Sequence, residues 1–93
     1  MQIYSLEAID WSSDCIWDIW LRGIFNSKEK IDEDLVAFQN TKDTLRFRVL
    51  EFDVDKDAIN KGWIIIVGEG RYEWKDAAPD EMQLMGRGSF EER

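Results

Sequence analysis

Three carboxylates at alternate positions, Asp53, Asp55 and Asp57 in EFDVDKDAINKGW, are the residues of this chain whose spacing comes nearest to a chemical centre. A calcium loop begins in this way, with oxygens at its first, third and fifth positions. It then requires glycine at the sixth for a sharp turn and a bidentate glutamate at the twelfth. Counted from Asp53, the sixth residue is Ala58 and the twelfth is Ile64, and the residues before Asp53 have a strand pattern where a helix is needed. The stretch predicts an acidic turn without a metal. Other chemistry is equally thin. The chain has no histidine, which removes the commonest general base and the usual nucleophilic triads, and its one cysteine cannot build a thiolate cage. Asp14 beside Cys15 disfavours a thiolate there. Gly68-Glu69-Gly70 lacks the third glycine and the following helix of a dinucleotide loop. With 20 acidic residues some carboxylate pair always exists, but none is marked out for catalysis. The expectation is no catalytic residue, no cofactor, and a protein that is not an enzyme.

The elements that must position these residues follow from periodicity. Gln2–Ile9 predicts a strand, DWSSD a turn, and Ile16–Phe25 a second strand, with Trp17, Ile19, Leu21 and Phe25 on one face and Ile16, Trp20 and Ile24 on the other. NSKEKIDEDLVAFQN carries the helix signal: Asn26 or Ser27 as cap, and Ile31, Leu35 and Phe38 as the buried stripe. Leu45–Val54 predicts a third strand whose apolar phase inverts at Val49–Leu50, through a β-bulge or because the strand leaves one sheet face for another contact. Asp55–Gly62 reads as a turn, Trp63–Val67 as a buried strand, and Arg71–Lys75 as a short last strand after the bend at Gly68–Gly70. The expected architecture is α+β: one domain over residues 1–78, a mostly antiparallel sheet of four to five strands, and one main helix on one face in the order ββαββ. Residues 79–93 read as a loosely held polar tail.

The segments IYSLEAI, LRGIFNSKEKI and FRVLEFDVDKD…GW resemble a recurring small bacterial domain of unknown function. Its marks are a Gly-Ile-Phe-x-Ser-Lys-Glu strand-to-helix junction and an Asp-Lys-Asp segment before Gly-Trp. The resemblance spans residues 2–63 and implies an α+β fold and a bacterial origin, with no activity attached. The short Asn40–Thr44 segment and the residues beyond Trp63 depart from it.

Charge bears on partners. Twenty acidic against 12 basic residues give a net charge of −8, which repels nucleic acid and anionic lipid and attracts basic proteins. The N-terminal MQIYSLEAIDW has no signal-peptide pattern, and the longest strongly apolar run, Trp63–Val67, is far short of the ~18 residues of a membrane helix. With a lone cysteine, this points to a cytoplasmic protein. Five tryptophans are many for one small core. Trp63 and one of Trp17 or Trp20 are expected inside, whereas Trp11 and Trp74 lie in polar surroundings as interface anchors do. The expected partner-facing residues are Asp32, Glu33, Asp34, Glu51, Asp53, Asp55, Asp57, Trp11 and Trp74. The function these features imply is neutralisation of a basic bacterial toxin, such as a nuclease domain, by an immunity or antitoxin-type protein. The alternatives are a small assembly subunit or homo-oligomeric module without inhibitory role, a phage or mobile-element inhibitor mimicking nucleic-acid charge, and a carboxylate-dependent enzyme.

Overall fold

The computed structural model describes residues 2–11 and 17–83; the side chains of residues 10, 11, 17 and 18 are outside the description, as are Cys15 and residues 84–93. Five strands, β1 (Gln2–Trp11), β2 (Trp17–Phe25), β3 (Leu45–Asp53), β4 (Ala58–Gly68) and β5 (Arg71–Asp76), form one antiparallel sheet in the order β2-β1-β3-β4-β5. Two short helices accompany it, α1 (Lys28–Leu35), continued by a 3₁₀ turn at Val36–Phe38, and α2 (Pro79–Met82). This is a small single α+β domain. Among the described residues no helix is long and apolar enough to cross a membrane.

The chain leaves the outer strand β2 through α1 and re-enters the sheet on the far side of β1. Ser27 sets the start of α1: its hydroxyl accepts from the Lys30 amide at 3.3 Å, so the cap is Ser27 and not Asn26. Ile31 and Leu35, one helical turn apart, are fully buried in a core with Leu6, Phe47, Val49, Trp63, Ile65 and Val67. Phe38, expected in the same stripe, is half-buried against the rim of this core. The sharpest bend joins β4 to β5, where Glu69 and Gly70 both have positive φ (57° and 79°). Such a two-residue turn matches the twist of the flanking strands. It is held from the side by the Glu69 amide donating to Thr41 O and the Gly70 amide donating to Gln39 O, both at 2.8 Å.

Three expectations change. First, the register of β1 against β2 shifts between Leu6 and Glu7, leaving Arg22 as an extra residue on β2. The bulge moves the later residues out of phase: Ile19, Leu21 and Ile24 oppose Ile9, Glu7 and Ser5, while Trp20 and Phe25 oppose Ala8 and Tyr4. Trp20 is exposed (48%), and the side chain of Trp17, the other tryptophan expected as a candidate for the core, lies outside the described residues. Second, β3 has no bulge at Val49–Leu50. Its register runs unbroken there, and the bulge falls in β4 at Asn60, between the pairs Glu51–Lys61 and Phe52–Ile59. Val49 and Leu50 are both buried because each face of β3 is covered. Third, the acidic turn is only residues 54–57, and β4 begins at Ala58, well before Trp63.

The described residues after Ala78 begin with α2, Pro79–Met82. The Met82 side chain lies over the second sheet face at Gly62, where an added Cβ would come within 2.7 Å of Met82 Cγ and 3.0 Å of Leu50 Cδ2. On the same face Arg48, itself buried, donates from Nε to Glu7 at 2.7 Å and from Nη1 to Glu81 O at 2.9 Å. Arg48 is thus the tie that holds α2 to the sheet.

Candidate functional site

The first sheet face carries a row of aromatic rings at the end where α1 begins. β1 supplies Tyr4, β4 supplies Trp63 and β5 supplies Trp74 and Tyr72. Tyr4 and Trp63 have ring centroids 6.4 Å apart, and Trp63 meets Trp74 edge to face at 5.9 Å. The first turns of α1 lie beside this row. Together Lys28, Glu29, Asp32, Trp63 and Trp74 line an open groove of about 280 Å³.

Asp32 is the fixed point of the groove. Its Oδ1 accepts from the Trp74 indole at 3.0 Å and from the Tyr72 hydroxyl, while Trp74 Nε1 also lies 3.2 Å from that hydroxyl. The Lys28 ammonium stands 4.5 Å from the centre of the Trp63 ring and the Lys61 ammonium 5.3 Å from it, within the range of cation–π attraction. Lys61 is also 3.5 Å from Asp76. Glu29 of α1 and Glu51 of β3 both bear on Tyr4: burial first, then Glu51, then Glu29 hold its phenol above the ordinary value. For Tyr72, burial and then the bond to Asp32 hold the phenol well above its ordinary 10.0, against a lowering contribution from Trp74.

The folded state thus keeps the Tyr72 proton after the unfolded chain has lost it. The stability this contributes is full below pH about 10 and falls as pH rises beyond it. Tyr72→Phe is expected to cost about 1–3 kcal/mol at neutral pH, the scale of a hydrogen bond to a charged group, and to flatten the alkaline loss of stability. Urea unfolding at pH 7 and above pH 10 checks both; an unchanged alkaline slope in the variant would rule out Tyr72 as its source.

The sequence-predicted residues divide. Asp32 and Trp74, far apart in sequence, meet directly. Trp74 is half-buried with its indole bonded, so it is no exposed anchor. Glu51 comes close to the same aromatic row, half-buried, and accepts from Asn60 Nδ2 at 3.4 Å. Glu33 is exposed, and Asp34 pairs with Arg22 at 3.1 Å. Asp53, Asp55 and Asp57 stand apart at the β3–β4 turn. There Asp53 Oδ1 accepts from the Asp55 amide at 3.1 Å, Asp53 O accepts from the Lys56 amide at 3.2 Å, and Asp57 takes the left-handed conformation at φ 53°. The first aspartate builds the turn with its side chain, as this residue type does. Among the described residues no group of three or more His, Cys, Asp or Glu side chains is placed to hold a metal. Trp11 ends β1, and its side chain is outside the described set. Sequence reasoning missed Tyr4, Lys28, Glu29, Tyr72 and the role of Trp63. Alternation in β5 (Tyr72, Trp74) was the one signal that could have joined two of them.

The fold and this groove define a small α+β domain with an aromatic and carboxylate-lined cleft at one end of its sheet. No protein-family model, curated protein or solved structure matches the chain.

Proposed function

We propose that the chain is an acidic binding protein of the immunity or antitoxin type that caps a basic toxin, such as a nuclease domain, in the cytoplasm where both are made. It acts by contact and not as an enzyme, and it binds neither nucleic acid nor membrane. The observation that supports the reading is convergence: Glu51 of β3 stands opposite Tyr4 in the sheet, and Glu29 of α1 lines the groove of Trp63, the ring next to Tyr4, at one end of a chain of net charge −8. Nuclease sites are basic because they hold phosphates. An acidic surface steers such a partner in at ~10⁸ M⁻¹s⁻¹ or above at low salt.

The test is inhibition and affinity against purified basic nuclease domains of bacterial toxins, at low and high salt. Affinity should fall as salt rises. Glu29→Gln with Glu51→Gln should weaken binding more than Asp43→Asn with Glu69→Gln, a charge-matched pair at the opposite end of the sheet. Equal effects would reduce the case to net charge, and a nuclease that stays fully active would end it.

One observation favours the assembly reading. β2 is an outer strand, and it exposes Trp20 (48%), Leu21 (57%) and Ile24 (55%). An apolar outer strand is a template for pairing with a second chain. Sedimentation separates the readings, because a homo-oligomer formed through β2 should persist in high salt and dissociate on Leu21→Lys.

A further inference from the structure

We infer that the groove between α1 and the β4–β5 strands is a receptor for one arginine side chain of the partner, with Lys28 occupying the place of that side chain in the free protein. The inference deepens the binding reading above and rests on it for the partner's nature. Three features of the groove carry it.

The first is a pre-set carboxylate. Asp32 uses a single oxygen, Oδ1, for both the Trp74 indole and the Tyr72 hydroxyl, and among the described residues its Oδ2 accepts no hydrogen bond. Two donors thus orient the group without consuming its second oxygen, so a cation arriving there meets an acceptor already in position. The second is Glu29, one residue into the same groove and exposed, whose carboxylate has no ion pair or hydrogen bond among the described residues. The third is the occupant. The Lys28 ammonium sits over the Trp63 ring at 4.5 Å, and among the described residues it forms no ion pair. Lys61, the other cation over that ring, is held by Asp76. Lys28 is therefore the cation that can leave most readily: it gives up one ring contact and regains water.

Arginine fits this vacancy better than lysine. Its guanidinium is flat and stacks on an aromatic face while its N–H groups reach two carboxylate oxygens. Here the ring is Trp63 and the acceptors are Asp32 Oδ2 and Glu29. A lysine ammonium offers a point charge and no stacking plane. A groove of about 210 Å³ on the second sheet face has the cations Arg46 and Lys75 in its lining beside Asp76 and Glu81, and one of about 290 Å³ beside Phe25 is lined by Lys30 and no carboxylate, so neither offers this complementarity.

The test uses a small probe, so it does not depend on finding the partner. Nα-acetyl-arginine methylamide is titrated into the full chain, with the neutral, nearly isosteric citrulline analogue as control, and the indole N–H resonances of Trp63 and Trp74 are followed by NMR. The arginine probe should shift both resonances with a dissociation constant in the millimolar range, and the citrulline probe should not. Lys28→Ala removes the competing cation and should tighten the probe by about threefold or more, whereas Lys56→Ala, with the same change of net charge at the remote turn, should not. Glu29→Gln, at a carboxylate with no ion pair or hydrogen bond among the described residues, should weaken it. Equal shifts from both probes, or equal behaviour of Lys28→Ala and Lys56→Ala, would overturn the inference. If the probe binds here but no basic protein is captured, the cleft stands and the inhibitor reading falls. If a basic protein binds and the probe leaves both indoles unmoved, the cleft assignment falls alone.

Discussion

Arg48→Ala is expected to lower stability by about 3–5 kcal/mol, the cost of removing one partner from a buried ion pair. The arginine side chain is only 6% exposed and its partner Glu7 18%, so neither charge has much water to fall back on. Three losses combine. Glu7 is left half-buried without its cation, Glu81 O loses a donor, and the long side chain vacates space between the sheet and α2. Because Arg48 ties α2 down, the variant should also expose Met82 and Leu50 before global unfolding, seen as faster hydrogen exchange across Gly62 and Ala77, whose amide donates to Gly62 O at 3.0 Å. Chemical denaturation gives the total. Arg48→Met with Glu7→Leu discriminates between packing and charge, since replacing both members of a buried pair by apolar groups is often neutral or stabilising. If that double variant is as unstable as Arg48→Ala, the loss comes from packing and the stranded-charge explanation is wrong.

Leu35→Ala is expected to cost about 2–5 kcal/mol, the range for truncating a fully buried leucine. Leu35 has no exposed surface and lies in the same cluster as Ile31, Leu6 and Phe47. α1 has only eight residues, too few for a stable isolated helix, so its persistence depends on what it buries. Removing one of its two buried side chains should therefore loosen the helix as a whole, and with it the placement of Asp32 against Tyr72 and Trp74. Leu35→Met keeps volume and hydrophobicity and should cost less than about 1.5 kcal/mol. Urea denaturation followed by tryptophan emission measures both. A loss of a few tenths for Leu35→Ala would mean that α1 contributes little to the core.

Much of the local structure was legible because it depends on near neighbours. The serine hydroxyl that caps α1, the alternation of Leu45, Phe47 and Val49 and the glycines of the β4–β5 turn all follow from residue types within a few positions. Strand phases were legible only up to the first bulge. Arg22 and Asn60 each add one residue to a strand, and nothing in an unbroken alternation of side chains marks where a partner strand will skip. The apparent phase inversion in β3 came from a different cause, burial on both faces, which requires knowing that α2 covers the second one.

The acidic composition, the absence of histidine, the α+β pattern of elements and the turn at Asp53 belong to the sequence by itself, since each rests on counts or on contacts between close neighbours. The pairings that give those charges a role belong to the tertiary structure. Arg48 and Glu7 are 41 residues apart, Tyr72 and Asp32 are 40, and Trp74 and Asp32 are 42. Chain separation of that size carries no local signal. Which side chains meet is set by the strand order β2-β1-β3-β4-β5 and by the side of the sheet on which α1 crosses. That crossing turned Asp32 from one helix acid among several into the fixed wall of a cleft, and it left Asp53, with the same charge, as the side chain that closes a turn.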